Sequence, residues 1–362
     1  MTALPQSATE LKTVTAMRAW WEQKLGRVSR RMGASQIGQE CERRLWYSFR
    51  WASKGEGFDG RMLRLFDRGN REEAVFIAEL RGIGAQVHDI NPQTGQQYEF
   101  TACGGHFVAK IDGAALNLPD APKTWHVVGF KTSNAKGFAA VKKDGVLKAK
   151  PEHYAQNQVE MRLADLTRTL YLMVNKDTDE VYGERIREDK AAQDALMAKA
   201  ERVIFGAEPG PGISKDPAFF KCKMCPAAAV CHGQQLAEVS CRTCLHATPE
   251  KDGDGRWSCA KRSIQSLSLA DQQAACCDHL FIPALVTYGA LDDANEQEGW
   301  VSYVAPDGFR FRNGPRAVGS YSSKELNALS LAALRSPELQ AIRNAHLPDA
   351  EWVPREEFKA VA

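Results

Sequence analysis

An α/β fold with a small cysteine-rich satellite is predicted by three features of this 362-residue chain. Apolar residues recur at three and four, the helical period, across 8–27, 35–52 and 61–82. Between Gly104 and Thr132 the period drops to two, as in strands. Finally, the ten cysteines are clustered rather than scattered, most of them beyond a Gly/Pro-rich linker from Gly206 to Gly212.

After the three helical segments come the strands. One runs Gly104-Gly105-His106-Phe107-Val108-Ala109-Lys110-Ile111-Asp112-Gly113, the next His126-Val127-Val128-Gly129-Phe130-Lys131-Thr132. In the second, Trp125, Val127, Gly129 and Lys131 share one face. Val128 and Phe130 give the opposite face an apolar anchor. The first strand sets His106, Val108, Lys110 and Asp112 on a common face. Asp112 and Lys131 converge if the two strands pair as neighbours; an ordinary surface hairpin is the alternative. Residues 152–167 then read as a helix, and Leu170 to Glu184 as a hairpin turning at Asp177-Thr178-Asp179. Residues 186–204, rich in Ala, Lys and Glu, read as a further helix. Trp300 to Phe311 suggests a hairpin turning at Pro306-Asp307-Gly308, and 322–346 one or two helices with Ser322 or Ser323 as N-cap.

A formal net charge of +2 gives no global argument for nucleic acid, but the distribution does. From Arg18 to Arg71 there are 13 Lys or Arg against 6 acids, interleaved with Trp20, Trp21, Trp46, Tyr47 and Trp51. Clustered cations neutralise phosphates, and aromatics stack on unpaired bases; a solvated helical face over an aromatic core reads equally well for the tryptophans. Arg43, Arg44, Arg68 and Arg71 are the expected DNA contacts. With no signal peptide or membrane span in view, a reducing cytoplasmic compartment is expected, where disulfides are disfavoured.

Cysteine spacing gives two groups. Cys222-x2-Cys225-x5-Cys231 follows the linker, with Cys41 far upstream. Cys241-x2-Cys244, then Cys259, then Cys276-Cys277-Asp278-His279 form a zinc-ribbon-like pattern around the turn at Asp252 to Gly255. Tetrahedral zinc takes four ligands: Cys241, Cys244, Cys259 and Cys276 are the expected set, with Cys277 or His279 as replacement for the last and His246 a further donor. Unliganded buried thiols are the alternative. Cys103 is left over as a small core residue.

The stretch from Gly104 to Thr132 resembles motifs II and III of the PD-(D/E)XK nuclease superfamily, in its RecB-like and phage-exonuclease branch. Further elements occur in that branch's order. Ser35 to Arg44 looks like its opening helix with a cluster cysteine at Cys41. Gly69 and Glu73 match its Gly-x-x-x-Glu helix, and Pro151 to Gln158 followed by Met161 its glutamine motif. The resemblance covers about residues 30–235. It implies a restriction-endonuclease-like α/β core, a mixed central sheet flanked by helices, over 1–237, with an iron–sulfur staple. A zinc-binding module would follow at 238–287 and an α/β extension at 288–362. One N-terminal cysteine plus a C-terminal triplet is similar to the iron–sulfur nucleases of CRISPR adaptation, implying a 4Fe–4S cluster on Cys41, Cys222, Cys225 and Cys231; four thiolates also suit zinc.

The same resemblance, shared with lambda exonuclease, implies exonuclease activity on single- or double-stranded DNA ends with Mg2+ or Mn2+. A phage single-strand-annealing or recombination protein would be a partner. Asp112 would hold the metal, Lys131 would position water and stabilise charge, Glu73 would support the metal, Gln156 would orient Lys131 or DNA, and His106 would take a second metal or phosphate. The family's second acid belongs at position 129, where this chain has glycine. Hard cations need oxygen ligands, so Gly129 implies impaired cleavage, by an engineered inactivating substitution or in a natural DNA-binding pseudo-nuclease. A carboxylate from elsewhere is the third explanation, for which Glu152 and Asp120 are poorly placed.

Overall fold

The computed structural model describes residues 11–24, 29–54 and 58–345. The N-terminal region contributes α1 (Lys12–Gln23), a short strand β1 (Met32–Gly33), α2 (Glu42–Phe49) and α3 (Gly60–Gly82). The expected helix over 35–52 is thus split. A turn of 3-10 helix occupies Ala34–Gln36, and α2 starts only after Cys41, whose sulfur accepts from the Arg44 N–H. Asp59 caps α3 through a 2.7 Å bond from the Met62 N–H.

The chain continues through β2 (Gln86–His88), β3 (Glu99–Ala102), β4 (Phe107–Lys110), β5 (Gly113–Leu116), β6 (His126–Ser133), α4 (Ala135–Ala149), α5 (Pro151–Leu163), β7 (Arg168–Asn175), β8 (Val181–Arg187) and α6 (Lys190–Phe205). Five strands form a mixed sheet in the order β2-β5-β6-β7-β8, parallel only between β6 and β7. That parallel pair is joined through α4 and α5, the crossover such a pair requires. The turn at 177–179 links β7 and β8 as anticipated. The strand expected over 104–113 divides instead: β4 joins β1 and β3 in a second sheet, and β5, beginning at Gly113, pairs with β6. Asp112 lies at the crossing between the two sheets.

Period two along β6 builds the layers. Val128 and Phe130 pack on Phe76 and Leu80 of α3, with the Phe76 and Phe130 rings stacked 5.1 Å apart. Val127 packs with Phe138 and Val141 of α4, Met161 of α5 and Tyr171 of β7. The face bearing Gly129 and Lys131 is therefore turned toward α5.

The remainder holds α7 (Phe220–Lys223), α8 (Ala228–Cys231), the hairpin β9 (Ala247–Pro249) and β10 (Trp257–Cys259), and α9 (Leu269–Ala274). A four-stranded sheet follows, of β11 (Ala290–Asn295), β12 (Trp300–Val304), β13 (Arg310–Asn313) and β14 (Ser320–Tyr321). β12 and β13 are the expected hairpin. Over 322–345 there are three short helices rather than one or two: α10 (Ser323–Ala328), capped by Ser322, α11 (Leu331–Arg335) and α12 (Pro337–Ala345). Of the helix anticipated over 8–27, residues 8–10 and 25–27 lie outside the described residues, as does residue 346. One apolar cluster joins Trp46 and Phe49 to Trp257, Phe281, Tyr303 and Leu326, so described residues from each of the expected segments 1–237, 238–287 and 288–362 contribute to it. Arg242 stitches them: buried, it donates to the carbonyls of Phe49 (3.0 Å) and Arg30 (2.9 Å) and to Gln272 (3.0 Å), and lies over the Trp51 ring. Trp46, Tyr47 and Trp51 are buried, which makes them core residues rather than stacking platforms.

Candidate active site

The site forms where the two sheets meet. The Phe130 N–H donates to Asp112 Oδ2 at 2.9 Å, so β6 itself holds the carboxylate. Burial raises the Asp112 pKa, while Lys131 and this hydrogen bond lower it. Glu73 arrives from α3, three residues before the Phe76 that stacks on Phe130. Burial and the Asp112 charge lift it to about 7, against an opposing pull from Lys131. Asp112, Lys131 and Glu73 therefore lie near enough to act on one another electrostatically.

Gln156 is there too, but it acts on a residue the sequence reading passed over. Its Nε2 donates at 2.7 Å to Glu160 Oε1, one helical turn along α5. Glu160 is only 3% exposed. Burial lifts its pKa to about 8, Lys131 lowers it, Asp112 raises it further and the Gln156 bond lowers it. Three carboxyl groups and one ammonium therefore share this region. The i, i+4 relation between Gln156 and Glu160 was the available signal. Glu152 and Asp120, the acids considered for position 129, are both exposed.

Gly129 lacks a side chain, and its surroundings have closed in. A Cβ built there would meet Asn157 Oδ1 at 3.1 Å. Asn157 is fully buried, yet neither of its amide atoms has a hydrogen-bond partner; Thr169 Oγ1, also near Gly129, has none.

His106 is placed elsewhere, which removes it as a ligand beside Asp112. Its ring packs edge-on to Phe49, Phe205 and Trp257, its Nε2 bonds to the Glu250 carbonyl at 3.0 Å, and burial pulls its pKa down to about 4. The glycines before it have a packing role. Gly104 and Gly105 have φ of +61° and +81°, and a Cβ on either would lie within 2.7 Å of backbone from the 250–255 turn.

Cys41, Cys222, Cys225 and Cys231 line one cavity of about 580 Å³, together with Arg44 and Tyr47. Burial raises the thiol pKa of Cys222 and of Cys225, and nearby Cys41 and Cys231 raise both further. In the second group, burial lifts Cys241 to about 12 with added effects from Cys244, Cys276 and Cys259, so these four are neighbours. Cys277 is exposed, and both His279 ring nitrogens are engaged, Nδ1 with Ser323 and Nε2 with the Ser240 carbonyl. His246 Nε2 is buried without a partner. Cys103 is half-buried in a turn with φ of +50°. Among the described residues, no three His, Cys, Asp or Glu side chains are drawn in tightly enough to ligate one metal ion.

Arg43 donates to the Gly210 carbonyl and Arg68 to that of Lys176, while Arg71 pairs with Asp67 one turn away. Arg68 and Arg71 lie on the helix that carries Glu73; Arg43 and Arg44 lie on α2, next to Cys41. Among the described residues no helix is long and apolar enough to cross a membrane.

No family model matches the chain, and no curated protein does. Among solved structures it is similar to SSO0001, at 16% identity and a TM-score of 0.38, over 61% of this chain and 96% of that one. It is also similar to an alkaline exonuclease (LHK-Exo) from Laribacter hongkongensis, at 16% identity and a TM-score of 0.35, over 51% and 90%. For LHK-Exo in complex with dAMP the values are 15% and 0.32, over 51% and 89%. Likeness at this level assigns this chain neither a family nor an activity.

Proposed function

We propose that this chain is a Mg2+- or Mn2+-dependent exonuclease acting on DNA ends, of the phage replication and recombination type. The observation that carries the reading is the gathering of Asp112, Lys131 and Glu73 from a sheet crossing, a strand and a helix into one half-buried site. The donor set fits the metal: carboxylate oxygens suit hard cations, and acids raised by burial, Glu73 also by the Asp112 charge, are what a bound cation would relieve. Asp112 and Glu73 would hold the divalent ion, which would supply polarisation of the scissile phosphate and acidification of water. The chain's own part is to hold Asp112 through the Phe130 N–H and to set the Lys131 ammonium beside the developing phosphate charge. Arg68 and Arg71, with Arg43 and Arg44, supply contacts to the backbone phosphates.

On the same reading Cys41, Cys222, Cys225 and Cys231 hold a 4Fe–4S cluster, and Cys241, Cys244, Cys259 and Cys276 hold zinc, both structural. Four thiols around one cavity and four around another point fit all-sulfur ligation. DNA ends and a phage annealing or recombination protein are the partners, in the cytoplasm.

Gly129 favours a second reading, a DNA-binding recombination accessory protein that keeps the fold without cleaving, because the strand offers no second oxygen ligand. End-labelled DNA with Mg2+ or Mn2+ separates the two. Label release that Asp112→Asn abolishes supports the nuclease. Tight end binding without release supports the accessory protein. A chain that neither binds nor cleaves removes both.

A further inference from the structure

We propose that Glu160 on α5 supplies the second metal-binding carboxylate that β6 lacks at position 129, so that the acid comes from the facing helix instead of the strand. The inference rests on the nuclease reading above and reverses the impaired cleavage that Gly129 implied in the sequence.

The geometry starts from β6, where Gly129 and Lys131 face α5. Residues 156, 157 and 160 of α5 lie within about one turn of each other, on one side of the helix. Each does something specific there. Asn157 fills the space that a side chain at 129 would take, its Oδ1 sitting 3.1 Å from the missing Cβ. Glu160 reaches the neighbourhood of Asp112 and Lys131. Gln156 donates to Glu160 and fixes its carboxyl group. Glycine on the strand and glutamate on the helix are then two halves of one exchange.

An acid this buried carries its charge only where a cation or several donors compensate it. None of the ion pairs within 4.0 Å among the described residues involves it, and the hydrogen bond it accepts comes from a neutral amide. The unpartnered amide of Asn157 and hydroxyl of Thr169 beside Gly129 are independent signs. Buried polar atoms are nearly always satisfied, so the side chains facing Gly129 keep hydrogen-bonding capacity that a polar partner would take up.

The test measures Mn2+ binding by titration calorimetry and cleavage of end-labelled DNA, on the full chain as isolated, for the wild type, Glu160→Gln and Asp112→Asn. The wild type should bind Mn2+ and cleave. Glu160→Gln should weaken Mn2+ binding at least tenfold and slow cleavage at least 100-fold. A Glu160→Gln protein that binds and cleaves like the wild type overturns the inference and leaves the nuclease reading standing. An Asp112→Asn protein that cleaves like the wild type sinks the nuclease reading itself. A wild type that takes up no Mn2+ overturns the inference directly. Should Glu160→Gln fail to fold, Glu160→Asp keeps the charge on a shorter arm. Its Mn2+ affinity should fall several-fold, and an unchanged affinity overturns the inference.

Discussion

Gly129→Glu puts the absent acid back, and the structure says it should harm the protein unless Glu160 is removed as well. The new Cβ arrives 3.1 Å from Asn157 Oδ1, so a fully buried side chain has to shift by a few tenths of an ångström. Overpacking of this kind costs about 1–3 kcal/mol. The new carboxylate also joins Asp112, Glu73 and Glu160, and one unrelieved like-charge pair 5–6 Å apart costs about 3 kcal/mol at an effective dielectric of 20. Replacing a strand glycine returns about 1 kcal/mol of strand preference. The net loss is about 4 kcal/mol without metal. An unfolding entropy of about 2.1 cal/mol/K per residue, taken over 362 residues, converts this to roughly 5 °C in Tm. Thermal unfolding in EDTA and in Mn2+, run beside end-labelled DNA cleavage, gives the readout. Gly129→Glu should unfold about 5 °C early in EDTA, recover part of the loss in Mn2+, and cleave no faster than the wild type. Gly129→Glu with Glu160→Gln should be the more stable of the two variants and should cleave. Cleavage by Gly129→Glu alone that exceeds the wild type tenfold, with no loss of Tm, would refute the reasoning.

Three other outcomes follow from the same structure. Glu325 is almost fully buried; burial pushes its pKa up, but hydrogen bonds from Arg343 and the Ser322 N–H, with the Arg343 and Arg316 charges, hold it below the ordinary value. A depressed folded pKa means its stabilisation is present above the unfolded value and is lost as pH falls through the folded one. Glu325→Gln should therefore cost about 3–5 kcal/mol at pH 7 in denaturant unfolding, the loss left by a buried charge without its partner, and the gap to the wild type should shrink on acidification; a pH-independent gap counts against this account. Arg242→Ala leaves the Phe49 and Arg30 carbonyls without their donor, and at about 1–3 kcal/mol for each unsatisfied buried group it should lower Tm and speed proteolysis; an unchanged Tm would show that the stitch is dispensable. In elemental analysis and visible absorbance, Cys225→Ser should lose iron and the brown chromophore, Cys259→Ser should lose zinc, and exposed Cys277→Ser should lose neither; full metal retention by the first two would remove both cysteine assignments.

Much of this was legible because it was local. Val128 and Phe130 opposite Gly129 and Lys131 follow from period two alone, and the β7–β8 turn was visible in Asp177-Thr178-Asp179. In three dimensions Cys276, the member expected from the sequence, lies near Cys241 and Cys244, Cys277 is exposed and His279 spends both nitrogens on hydrogen bonds, relations that spacing alone does not report. His106 misled because a Gly-Gly-His run beside a candidate Asp reads as chemistry. Its glycines instead let the 250–255 turn approach, a contact about 150 residues away in sequence that no spacing reports.

By itself the sequence determined which chemical groups were available: an Asp and a Lys on period-two strands, a glycine where an acid is expected, thiols in two spaced sets, and helices whose faces could be counted. Those properties are set by neighbours within a few residues. Tertiary structure alone decided which groups meet. It sent β4 into one sheet and β5 into another, so that Asp112 sits at the crossing, and it docked α5 against β6. That docking presents a buried Glu160 to Asp112 and Lys131 across from Gly129, because the rotation of a helix against a strand is settled by packing between distant segments.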